Sequence, residues 1–133
     1  MSIVFLIVSG AQANIFETDQ APHDVYDATE KFLKMEKSHK SDWFKFAKEV
    51  HDEKYDLLRK HHDECANLHI KKVSKLRNNG CTEAFIDEQL NKMIELHEKQ
   101  CEEWRHLAEK LEKKRRDLGN RHNDELMKFK ESR

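Results

Sequence analysis

Leu76-Arg77-Asn78-Asn79-Gly80-Cys81-Thr82-Glu83 is the stretch on which the fold turns. Two asparagines followed by a glycine supply the left-handed backbone that ends a helix. Thr82 is a fitting N-cap for the next helix, and Glu83 complements its positive end. Long stretches with apolar residues three and four apart lie on either side. The sequence therefore predicts a helical hairpin closing near Gly80.

Upstream of the turn the stripe reads Trp43, Ala47, Val50, Leu57, His61, Cys65, Leu68 and Leu76, widened by Phe46, Leu58, Ile70 and Val73. Steps of three and four make this one helix of about 36 residues. Downstream it reads Ile86, Leu90, Met93, His97, Cys101, Trp104, Ala108, Leu111, Leu118, His122, Leu126 and Phe129. This is the longest predicted element, with room for a kink near His97 or Gly119. The steps 97 to 101 and 122 to 126 put a four after a four, which loosens a strict coiled-coil seam. Before Trp43, Pro22 suits a first helical position, and Val25, Ala28, Phe32 and Met35 come after it at helical spacing. A shorter N-terminal helix from Pro22 to Lys37 is expected, then a polar turn over Ser38 to Ser41, with Ser41 or Asp42 as the N-cap of the next helix. The expected fold is all-α: an elongated antiparallel helical hairpin with a shorter N-terminal helix, forming a single domain over residues 14–133.

Composition agrees. Of 133 residues 38% are charged and 37% hydrophobic, with only three Gly and one Pro, which suits long solvated helices. Lys and Arg number 25 against 26 Asp and Glu, so no net field of either sign favours nucleic acid or an anionic membrane. Residues 1–13, with an apolar run from Ile3 to Val8 and small residues at Ala11 and Ala13, read as a secretory signal peptide. The run is far shorter than the roughly 20 apolar residues of a membrane span, so no transmembrane segment is expected. Secretion would place the chain in an oxidising compartment with three cysteines, leaving one thiol over after any single bridge.

Each long stripe carries a His and a Cys one turn apart. If antiparallel helices close around Cys81, His61 faces Cys101 and Cys65 faces His97. Four groups of the kind zinc prefers then converge, making His61, Cys65, His97 and Cys101 a candidate metal site. A Cys65–Cys101 disulfide clamping the hairpin is an alternative, as is plain burial of the thiols beside partly solvated imidazoles. No other cofactor is implied.

No Ser, His and acid are spaced as a nucleophile set, so no enzyme is expected. Lys110, Lys113, Lys114, Arg115 and Arg116 are interleaved with Glu109, Glu112 and Asp117, which marks a solvated face rather than a nucleic-acid site. There is no EF-hand loop and no Gly-rich phosphate loop. Trp43, Phe44 and Phe46 form an aromatic cluster that suits a core, or else the wall of an apolar cleft.

The stretch LRNNGCTEAFIDEQLNKMIELHEKQCEEWRHLAEKLEKKRRDL, residues 76–118, resembles the central segment of the SXP/RAL family of secreted roundworm antigens, within a looser likeness over about residues 60–130. Leu76, Asn78, Thr82, Ile86, Leu90 and Trp104 occupy the places of that family's turn, capped helix and following aromatic. The resemblance implies a small, secreted, helical, non-enzymatic protein acting in host or extracellular interaction, with metal or apolar ligands suggested for the family. Residues 28–76 are similar in texture to the antiparallel C-terminal coiled coil of phospholipase C-β enzymes. Three roles thus remain: an interaction protein with a protein partner; a coiled-coil scaffold that self-associates; and a carrier of a small apolar ligand between the N-terminal helix and the hairpin, lined by Phe32, Phe44, Phe46 and Met93.

Overall fold

The computed structural model describes residues 23–133, and among these the chain forms two α-helices and no strand. Helix α1 is His23–Asn79, of 57 residues, and α2 is Glu83–Glu131, of 49. The fold is an all-α helical hairpin. Its turn is built as the residue types dictate. Gly80 sits at a φ of 74°, and its amide donates to the Leu76 carbonyl at 3.0 Å, closing the C-terminus of α1. Thr82 Oγ1 accepts the Phe85 amide at 3.1 Å, capping α2. Glu83 in the first turn of α2 and Arg77 in the last turn of α1 each complement the local helix dipole.

One expectation is corrected. No turn separates a shorter N-terminal helix from the hairpin, because α1 runs unbroken through Ser38 to Ser41. That stretch contains neither Gly nor Pro, and serine in a helix interior costs only about 0.5 kcal/mol relative to alanine. Lys40 also bonds Glu36 one turn back at 3.1 Å, while His39 Nε2 meets Glu125 Oε2 at 2.8 Å. The second helix, α2, is a single element from Glu83 to Glu131, with His97 and Gly119 inside it. Pro22 and the leader at residues 1–13 lie outside the described residues.

Contacts group the chain into two units. In the unit Trp43–Asn123, α1 and α2 are tied by five Lys–Glu pairs: Glu49–Lys114, Glu53–Lys110, Lys60–Glu103, Glu64–Lys99 and Lys75–Glu88. Each pair is centred, in sequence, on the peptide bond between Cys81 and Thr82. The register expected around Cys81 is thus met to within about one residue. Beside Glu49 and Val73, which are also partly covered, a line of covered positions on α1 runs through Phe46, Val50, Glu53, Leu57, His61, Glu64, Leu68, Lys72 and Lys75. Their steps repeat as four, three, four, which sums to eleven residues per three turns and tracks the helix's own 3.6 closely. On α2 the same repeat runs through Leu96, Gln100, Glu103, Leu107, Leu111, Lys114, Leu118 and His122. Leu111, 6% exposed, is the one deeply buried apolar side chain among the described residues; His61, Gln89 and His122 are buried polar ones. Trp43 sets its ring edge-on to Phe46 and to His122, with centroids at 6.0 and 5.6 Å.

The other unit comprises described residues 23–42 and Asp124–Arg133. Phe32 and Phe129 meet there with centroids 6.1 Å apart, beside the His39–Glu125 contact.

Candidate functional site

His61 lies on the eleven-residue line of covered positions in α1, which aims its ring into the seam. Its side chain is 7% exposed and stands edge-on to Trp104, with centroids 5.7 Å apart. Glu64, three residues on, shares its face of the helix. Glu103 projects from α2 toward both. The Nε2 of His61 is 3.4 Å from Oε1 of Glu103 without making a hydrogen bond.

The two carboxylates are arranged alike. Glu64 Oε2 accepts from Lys99 Nζ at 2.7 Å, and Glu103 Oε2 accepts from Lys60 Nζ. In each, Oε1 points inward, buried, with no hydrogen-bond partner. The hydrogen bond from Lys99 holds Glu64 below the usual carboxylate range, and the bond from Lys60 does the same for Glu103. Both are anions at neutral pH. The Gln100 amide itself donates to the His61 carbonyl at 3.3 Å and, more distantly, to Cys65 Sγ at 3.7 Å. Donor atoms of His61, Glu64 and Glu103 all fall within 4.8 Å of one another, the one such group of His, Cys, Asp or Glu among the described residues.

The four residues anticipated as a zinc site are distributed differently. His61 faces Glu103 and Trp104 rather than Cys101. Cys65 and His97 line one cleft of about 330 Å³ together with His69, Lys72, Met93 and Gln100. Cys101 sits outside that cleft, its Sγ 3.5 Å from His97 Nε2 on the same helix. The anticipated Cys65–Cys101 bridge is absent: both thiols, and that of Cys81, are free and exposed. The reason is rotational. Cys65 lies one residue past Glu64 and Cys101 one past Gln100, and each residue turns a helix by about 100°. Both sulfurs are thereby carried out of the seam.

The two sides of the seam differ in character. One carries the five Lys–Glu pairs and a cleft lined by Asn67, Lys71, Glu95 and their neighbours. The other, bearing the Cys65–His97 cleft, leaves apolar side chains in water: Leu58 is 57% exposed, Ile86 41%, Leu90 50% and Met93 48%. The sequence stripe is wider than a two-helix seam covers, so part of it stays in water, on this side and also at Ile70 and Ile94, which are 63% and 55% exposed. Of the residues anticipated as an apolar-ligand wall, Phe44 is 75% exposed, and among the described residues no separate N-terminal helix closes a cleft over it.

Compared with protein families, with curated proteins and with solved structures, the chain finds no match. Its functional reading rests on its own residues. Among the described residues no helix is long and apolar enough to cross a membrane. Glu64 and Glu103 were not singled out by sequence reasoning, since both look like ordinary surface charges on a Lys- and Glu-rich helix. The available signal was the three-residue step from His61 to Glu64, combined with a hairpin register one residue further on.

Proposed function

We propose that the chain is a secreted, non-enzymatic helical interaction protein that binds a protein partner through the apolar side of the Trp43–Asn123 hairpin. The observation that supports this reading is the exposure of Leu58, Ile86, Leu90 and Met93 on that side. Exposed apolar patches rimmed by polar residues mark interaction surfaces, and a two-helix groove of this kind takes the apolar face of a third helix. On the opposite side Lys and Glu answer one another within the hairpin, which leaves little unbalanced charge to attract a partner. The leader-like residues 1–13 support an extracellular setting, and the likeness of residues 76–118 to secreted roundworm antigens supports the same class.

A second reading is a self-associating scaffold, in which the partner is another copy. It is favoured by the thinness of the core, since Leu111 is the one apolar side chain deeply buried among the described residues. The test for both is Leu58→Glu combined with Leu90→Glu. Both side chains already face water, so helical circular dichroism should be unchanged while fluorescence enhancement of an apolar dye falls severalfold. Dye binding equal to wild type would remove this side as the binding surface. Light scattering separates the readings: a mass that rises with concentration in wild type and stays monomeric in the double variant favours self-association.

A further inference from the structure

We propose that His61, Glu64 and Glu103 form a binding site for a first-row divalent transition metal, of which zinc is the natural probe. The site lies in the seam and is separate from the apolar side.

Three observations converge. The first is burial without partners: His61 Nε2, Glu64 Oε1 and Glu103 Oε1 are all buried and all lack a hydrogen bond. A buried polar atom left unpaired is costly, so three on neighbouring side chains call for something that satisfies them together. The second is geometry. The 3.4 Å between His61 Nε2 and Glu103 Oε1 matches the edge, about 3.4 Å, of a tetrahedron with zinc–ligand arms of about 2.1 Å. A carboxylate oxygen of Glu64 completes the group, the three donor atoms lying within 4.8 Å of one another. The third is orientation. Lys60 and Lys99 each bond the outer oxygen of one glutamate and so direct the other oxygen inward, the part played by outer-shell groups around metal ligands.

The donor set selects the metal class. One imidazole with two carboxylates suits zinc, manganese, iron or cobalt. Calcium takes six to eight oxygens and magnesium keeps near-octahedral oxygen geometry, so neither is matched by a three-donor set holding a buried imidazole. Three protein ligands leave a further position for water. Glu64 and Glu103 are 21% and 24% exposed, which gives the ion a path in from the ion-pair side.

The full chain is titrated with zinc chloride by calorimetry and melted with zinc and with chelator. One ion per chain is expected, with a melting temperature that rises with zinc and returns with chelator. Glu64→Gln and Glu103→Gln keep side-chain size, so helicity should persist while affinity falls by about tenfold or more, at least the loss seen when an outer-shell partner is removed. Cys65→Ser with Cys101→Ser should bind as wild type does, and the cobalt-loaded chain should lack thiolate-to-metal absorption. The proposal is overturned by absence of binding, by glutamine variants that bind like wild type, or by binding that disappears with the two thiols. Should a glutamine variant lose helicity, His61 ring signals in the wild-type NMR spectrum decide: they shift on zinc addition if the site is real and stay in place if it is not.

Discussion

Gly80 and Gly119 show how one residue type answers two different demands. Gly80 holds a φ of 74°, where an L side chain is strained, and a Cβ would meet nothing within 4 Å. Gly80→Ala therefore carries only the backbone penalty, and we expect a loss of about 1 kcal/mol in chemical denaturation. Gly119 is helical, and a Cβ built there would stand 4.0 Å from the Trp43 ring, ordinary van der Waals contact. Gly119→Ala should then raise stability by about 0.7 kcal/mol, since glycine is the poorer residue inside a helix and the methyl gains a packing partner. Equal effects from the two substitutions would contradict this assignment. The turn was legible because asparagine and glycine are among the few residues that tolerate a left-handed backbone. The seam cluster was not, because the rotation of each helix, about 100° per residue, decides whether Cys101 or Glu103 faces His61, and apolar spacing alone does not fix it that finely.

At the scale of the helices, the ion pairs are regular but individually weak. Exposed Lys–Glu contacts contribute from nothing to about 1 kcal/mol and are screened by salt. Glu88 is the most informative rung, bonded by Lys75 across the seam and by Lys92 along its own helix. The hydrogen bond from Lys75, together with a smaller effect from Lys92, holds its carboxyl below the ordinary value of 4.5. A carboxyl depressed in the folded state stabilises above its unfolded value, and that stabilisation is lost as pH falls through the folded value. The stability gap between wild type and Glu88→Gln should therefore be full near neutral pH and vanish in acid. Thermal melts at about pH 7 and pH 3, at low salt, measure it; a gap that persists in acid excludes the carboxylate as its source. The continuity of α1 escaped sequence reading at this same scale. Ser38 to Ser41 look like a turn by polarity, yet polar residues without Gly or Pro cost a helix little when their side chains face water.

For the chain as a whole, the balance between covered and exposed apolar surface is what matters. A stripe broad enough for two neighbours meets one within the Trp43–Asn123 hairpin, so stability from burial alone is modest. Binding that covers the exposed side must then add to stability in proportion to the occupancy of that side. If another protein is the occupant, the melting temperature of the purified chain should be the same from micromolar to hundreds of micromolar concentration. If a second copy is the occupant, it should climb with concentration. Differential scanning calorimetry over that range distinguishes them. The all-α class and the hairpin could be read from the spacing of apolar residues, whereas the occupant could not, since a stripe records how much surface must be covered and says nothing of what covers it.

The eleven-residue beat on both helices has a consequence for how such a chain can change in evolution or by design. Excising residues 46–56 together with 108–118 removes one whole period from each arm and brings Lys45 and Gly119 up against the layer of Leu57 and Leu107 in phase. Cutting a length that is not a whole period rotates everything beyond the cut away from its neighbour. Arm length in this protein is thus adjustable only in cassettes, matched on both sides.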